Sequence, residues 1–385
     1  MLVVIVIAQF FCTSLWFAGN AILNDILLHI HAGPGFVAHL TSAVQFGFIS
    51  GTLSFAVLAV TDRYSPSLVF FLSAVMAALF NLAVSMNGNS IAGILCYRFL
   101  TGFFLAGIYP VGLKIASDYY QKGLGKSLGF LVGALVVGTA FPHLLKSITT
   151  GFPWKYVIYA TSALSFIGGL TLFLSVPDGP FRRPAQQLEI TAFLTGFRNR
   201  KFRSAALGYF GHMWELYAFW AFLPVMLKTY NDRFPGSVLN VSFLSFTIIA
   251  SGGLACVISG LLSQKLEPKK IATLSLFLSC LCCLFSPLVL FSGVDSLLLL
   301  FLFFWSLVVI ADSPLFSTVI AQNAPEESRG TSLTIVNCIG FAITIVSIQI
   351  ISALSTKING QYVYLFLAIG PLLGLSALLK GPEKS

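Results

Sequence analysis

Four ionisable residues stand where the chain is otherwise apolar. His212 and Glu215 lie in the string GHMWELYAFW, residues 211–220, inside an apolar run from about Ser204 to Lys228. Arg98 lies in a second such run and Asp312 in a third, directly before Ser313 and Pro314. A charged side chain at bilayer depth costs about 3 kcal/mol on insertion scales, so each of these needs a function, a partner or a water-filled cavity. His212 and Glu215 are three residues apart and share a helical face. Tyr209 and Phe219 extend that face, with Trp214, Tyr217 and Trp220 at adjacent angles. An acid, an imidazole and aromatic walls on one stripe suit two tasks, holding a solute by cation–π or stacking contacts and passing a proton. Glu215 would hold its proton while sealed and release it when its cavity opens to water, the cycle that proton coupling needs. A neutral Glu215 bonded to His212 or to another helix would fix packing instead.

Asp312 precedes a proline, which removes a helix hydrogen bond and disfavours helical geometry just before it, so a kink is expected there. The acid either touches solute or proton at the exposed carbonyls or braces the bend. Arg98 sits about 12 Å into its helix, counted from the start of the run, which is deep for a side chain that merely snorkels to the interface. Trp16, Asn20, Gln45, Asn81, Tyr109, Asn337 and Gln349 are further candidate cavity liners by polarity. No group of residues calls for a metal or a cofactor, and no G-x-x-x-x-G-K-[ST] phosphate loop occurs. His212 and Glu215 lack a nucleophile or a third metal ligand beside them, so an enzyme is not expected.

The elements that carry these residues are membrane spans. Hydrophobic residues make up 57% of the 385 and charged ones 9%, with a mean hydropathy of +0.90. Apolar stretches of about 20 residues, enough to cross a bilayer, recur along the whole chain and leave no room for a sizeable soluble domain. Spans are expected near residues 3–27, 36–60, 66–86, 90–116, 124–146 and 154–176, then 204–228, 239–263, 269–291, 296–320, 330–353 and 361–380. The seven cysteines all fall in such runs and read as small core hydrophobes. No Lys or Arg precedes Arg63, so residues 1–27 read as a retained span and not as a signal peptide.

With the net charge of +9, distribution decides the meaning. If both termini are cytoplasmic, fifteen of the 22 Lys and Arg fall in inner loops and the tail and five in outer loops. The positive-inside rule then puts both termini in the cytoplasm. The charge therefore reports topology, and no nucleic acid is expected as a partner. The chain divides into residues 1–176, a basic loop over 177–203 and residues 204–385, with a short interfacial helix or a solvated linker near Ile190, Phe193, Leu194 and Phe197. The halves echo each other weakly at an offset near 204, as in GKSLGF (125–130) and GTSLTI (330–335). Two six-span repeats imply a solute path between them near the bilayer midplane.

Twelve spans, a basic central loop, Asp62-Arg63 between spans two and three, and RFLTGFFLAGIYP (98–110) in span four together resemble the major facilitator superfamily over the whole chain. The family's loop signature survives as Asp62 and Arg63, with Leu58 where its first glycine belongs, and has Gln264 in place of the acid in the second half. The antiporter pattern of the fifth helix is incomplete, since Phe141 stands where a glycine is expected. The resemblance implies an all-α membrane protein of twelve helices in two six-helix bundles. It implies that Asp62 meets the N-terminal end of helix eleven near Arg329 and Gly330, where the helix dipole favours an anion, and that Arg98 serves proton coupling or solute charge. The expected protein is a monomeric, multi-pass carrier in a bacterial inner membrane, moving a small solute by alternating access with protons as the coupling ion. A receptor or scaffold that kept the fold without turnover is the second class.

Overall fold

In the computed structural model, residues 1–30, 33, 35–120, 124–182, 194, 196–325 and 329–379 are described. Among them there is no strand, and the helices follow the apolar runs. Span 1 is broken into Leu2–Thr13, Ala18–Ala21 and Leu23–Ile30. Span 2 is Phe36–Val57, span 3 Pro66–Ala83, span 5 Leu124–Ile148 and span 6 Lys155–Ser175. Span 4 is split into Ile91–Leu105 and Tyr109–Tyr119. In the second half span 7 is Arg200–Arg233, span 8 Val241–Leu262, span 9 Pro268–Val289 and span 11 Arg329–Ser355. Span 10 is split into Asp295–Ala311 and Ser313–Asn323, and span 12 runs over Gly360–Val363, Tyr364–Ala368 and Ile369–Leu379. Ile190 and Phe193 of the central loop lie outside the described residues.

Among the described residues ten helices are long and apolar enough to cross a membrane, and Leu2–Thr13 is apolar but shorter. Span 7 is the longest at 34 residues, yet it is not among the ten, because His212, Glu215 and its tyrosines and tryptophans dilute its apolarity. Its start is fixed by Asn199, whose side-chain oxygen accepts from the Lys201 amide at 2.9 Å, the usual task of an asparagine N-cap. The two split spans share a cause. Pro110 and Pro314 each open the second segment of their span, where a proline's missing N–H costs nothing. They stand 204 residues apart, the offset of the sequence echo.

Packing partners fall into two sets. Spans 1, 3, 5 and 6 and spans 2 and 4 pack among themselves, as do spans 7, 11 and 12 and spans 8, 9 and 10. Span 5 packs on span 8 and span 2 on span 11, joining one half to the other. Small residues permit the first contact: a Cβ on Gly133 would lie 3.0 Å from the Gly253 carbonyl oxygen, and the reverse holds for Gly253. Spans 2 and 11 meet through Ser42, which accepts from Gln349 Nε2 at 2.9 Å, and through Phe48 and Phe341 with ring centroids 4.5 Å apart.

The contact of span 2 with span 4 is tighter still. A Cβ on Gly102 would fall 2.0 Å from the Val44 carbonyl oxygen, and backbone cannot step aside. Gly102→Ala is therefore expected to lower stability by about 1–3 kcal/mol through overpacking, read as a fall in thermal midpoint in detergent. Gly236→Ala, whose Cβ meets nothing within 4 Å, leaves the midpoint unchanged.

Candidate functional site

The site begins at the break in span 1. Thr13 Oγ1 bonds back to the Gln9 carbonyl at 2.8 Å and Ser14 Oγ to the Phe11 carbonyl at 2.7 Å, a competition with the helix ladder that bends helices. Over the following residues the amides reach back only three places, Trp16 to Thr13 at 3.0 Å and Ala18 to Leu15 at 3.4 Å. The Leu15 and Trp16 carbonyls thus turn into the bundle, and Arg98 of span 4 meets both. Its Nη2 donates to the Leu15 oxygen at 3.0 Å and to the Trp16 oxygen, while Nη1 donates to Asn81 Oδ1 of span 3 at 3.0 Å. Arg98 is completely buried. Among the described residues no ion pair joins it to Glu215 or Asp312, so it belongs to the first half's own framework and does not face them.

Held in this way, Trp16 joins a layer of rings between the halves. Its centroid lies 4.8 Å from Phe48, 5.9 Å from Tyr217 and 5.7 Å from Phe341, the last pair stacked. Tyr217 continues to Phe341 at 5.3 Å and Trp220 at 5.2 Å, and Phe17 reaches Trp220 edge-on at 6.3 Å. Spans 1, 2, 7 and 11 thus meet in one aromatic plug, and every one of these rings is buried. Beyond it, at the end away from the termini, lies a cavity of about 290 Å³ lined by Val37, Phe222, Met226, Tyr230, Ser352 and Tyr364 among others.

Behind the plug, inside the second half, stand the acids. Glu215 is fully buried; its Oε1 accepts from Trp305 Nε1 at 2.6 Å and its Oε2 from Ser279 Oγ at 2.9 Å. Asp312 Oδ1 lies 2.8 Å from His212 Nδ1, with both side chains fully enclosed. His212 and Glu215 therefore do not bond each other. Neighbouring positions on span 7 turn to different partners, because Asp312 and Trp305 stand seven residues apart along span 10.

Span 7 has two working faces. His212, Glu215 and Phe219 look into the second half, where Phe219 packs on Trp305 at 4.8 Å. Tyr209 joins the other face with Tyr217 and Trp220, and its hydroxyl donates to Asn337 Oδ1 of span 11 at 2.9 Å. Trp214 turns to span 12, donating to the Phe366 carbonyl at 3.0 Å, and is not part of the plug. Asn20 Nδ2 donates to Thr41 Oγ1 at 2.8 Å; Tyr109 is half-buried against the core. Asp62 pairs with Lys114 at 3.0 Å. Among the described residues it makes no ion pair with Arg329, which is exposed, as is Arg63. The turn into this loop is made by Ala59 in the left-handed region, φ 49°. No group of three or more His, Cys, Asp or Glu suited to a metal occurs among the described residues.

Comparison with known proteins agrees with this architecture. The profile of the Major Facilitator Superfamily matches residues 5–348. The chain belongs to that superfamily. A choline/ethanolamine transporter of Danio rerio, flvcr2a, is 25% identical over 287 residues, covering 69% of this chain and 59% of the relative. A probable L-galactonate transporter of Escherichia coli K12 is 26% identical over 195 residues, covering 44% of this chain and 42% of the relative. The chain thus spans less than two thirds of the length of either relative. As a member of this superfamily it is an integral, multi-pass membrane protein with the twelve-helix, two-bundle fold.

Trp305 and Ser279 are the residues that inspection of the sequence misses. The signal for Trp305 was present, since it lies two helical turns before Asp312 on the same side of span 10. Replacing Arg98 by methionine strips three buried acceptors of their donor, each costing about 1–3 kcal/mol. Arg98→Met is expected to lose about 3 kcal/mol of stability net of the charge removed, with a matching fall in thermal midpoint, and Arg98→Lys to recover part of it, having donors but no planar fork.

Proposed function

We propose that the chain is a proton-coupled secondary transporter that carries a small organic cation by alternating access between its halves. The observation that carries this reading is the aromatic plug of Trp16, Phe48, Tyr217, Trp220 and Phe341 where spans 1, 2, 7 and 11 cross. Rings from both halves close on one another, so rocking the halves apart would bare several π-faces at once, and π-faces attract cations. The two named relatives point opposite ways, one to choline and ethanolamine, the other to an anionic sugar acid. Arg98 argues for the cation. Its Nη1 and Nη2 are engaged by Asn81 and two carbonyls, and its unpaired Nε is sealed from solvent beside Gly19, so it serves first as a positioning group.

The acids supply the coupling in this account. Glu215 and the His212–Asp312 pair sit one layer behind Tyr217 and Trp220, close enough that separating span 7 from span 10 would wet them. A proton moving through the full potential gains about 2.3 kcal/mol per 100 mV. Asp62 contributes on the side of the termini, where leaving Lys114 for the N-terminal end of span 11 near Arg329 would accompany the swing. The setting is a bacterial inner membrane with both termini cytoplasmic and a single chain as the working unit.

The test is uptake of choline and ethanolamine into proteoliposomes with and without an imposed pH gradient. The wild-type chain is expected to respond to the gradient, while Glu215→Gln and Asp312→Asn retain exchange at equal concentrations but lose most of that response. Variants that keep the full response overturn the coupling assignment. Absence of cation flux alongside galactonate flux overturns the choice of solute.

A further inference from the structure

Unpaired buried polar atoms occur on several spans, and one set of them lies on spans 1 and 2 beside the aromatic plug. Along span 2, Val37, Thr41, Gln45 and Phe48 are spaced by four, four and three residues, which keeps them on one helical face. Val37 lines the cavity, Thr41 bonds Asn20 of span 1, and Phe48 packs on Trp16 and Phe341. Gln45 therefore occupies the turn between the cavity and the plug. It is fully buried, and neither its Nε2 nor its Oε1 has a hydrogen-bond partner among the described residues. Asn20 Oδ1 and Trp16 Nε1, on the span that faces it, are equally without partners.

Buried polar groups in native proteins are nearly always bonded, so each exception asks for an explanation. Here donors and acceptors stand unpaired on facing turns of spans 1 and 2, beside the rings of Trp16 and Phe48. A quaternary ammonium forms no hydrogen bond, and a carboxylate accepts without donating. A hydroxyl does both, and it alone among these groups matches the mixed set that Gln45, Asn20 and Trp16 present.

We propose that Gln45 and Asn20, with the Trp16 indole N–H, form a hydroxyl-recognising subsite, which makes the solute an amino alcohol. Its cationic end rests on the ring faces, and its hydroxyl donates to Gln45 Oε1 or Asn20 Oδ1 while accepting from Gln45 Nε2 or Trp16 Nε1. This rests on the organic-cation reading above. A site built to bond a hydroxyl discriminates strongly against the analogue that lacks it, because its own buried groups are then left unpaired.

The experiment is competition for choline uptake in proteoliposomes of the full chain, comparing unlabelled choline with ethyltrimethylammonium, and ethanolamine with ethylamine. The wild-type chain is expected to prefer each alcohol over its deoxy partner by at least about tenfold. Gln45→Met, which keeps the side-chain length, is expected to bring that ratio close to one while uptake of ethyltrimethylammonium persists. Asn20→Ala provides a second variant should the first not fold, and is expected to lower the same ratio. A fold defect lowers uptake of both members of a pair and leaves the ratio where it was. Cation uptake with no preference for the alcohol, or with a preference that survives both variants, overturns the subsite. Failure of every cation to enter overturns the organic-cation reading and the subsite with it.

Discussion

The first span stays open because one buried guanidinium occupies its break. Ser14 and Thr13 loosen the helix ladder, and the Leu15 and Trp16 carbonyls would be stranded in an apolar bundle if Arg98 did not reach them. Stranded carbonyls and an unmatched cation are each unfavourable alone, and together they satisfy one another. The bend in turn brings Trp16 between the halves, where Phe48, Tyr217 and Phe341 can meet it. The closed centre of the molecule thus depends on a residue that is not itself part of the aromatic layer.

The two halves use the same helical plan for different ends. Each has a fourth helix interrupted at a proline, Pro110 in one and Pro314 in the other. In the first half this helix carries Arg98, which is bound to main chain and Asn81 and plays a framework part. In the second it carries Trp305 and Asp312, which hold Glu215 and His212 of span 7. Cationic charge is therefore consumed in structure on one side, while proton-binding groups are gathered behind the aromatic layer on the other. On the reading proposed above, the rings hold a positively charged solute and protons are handled separately, one layer deeper.

Much of the architecture was legible in the chain because hydropathy is coarse and span length is fixed by the bilayer. The kink at Asp312 followed from Pro314, and the need of Arg98 for buried partners followed from its depth. What Arg98 binds was not legible, because its partners are carbonyls freed by a break that leaves no hydropathy trace. His212 and Glu215 share a face by spacing, yet the angle between positions three apart is enough to send them to different neighbours on span 10. Asp62 was expected at span 11 and meets Lys114, a lysine one turn from the end of its own half's fourth span. The aromatic plug eluded the sequence for a related reason: its rings come from four spans in two halves, and only the fold brings them together.

The central claim is that the meeting point of the halves recognises an organic cation through its rings. Equilibrium dialysis of labelled choline and ethanolamine against the purified chain, with galactonate as competitor, tests it most directly. The account predicts saturable binding of the cations that disappears in Tyr217→Leu and is indifferent to excess galactonate. Displacement by galactonate, or cation binding that survives loss of the Tyr217 ring, contradicts it.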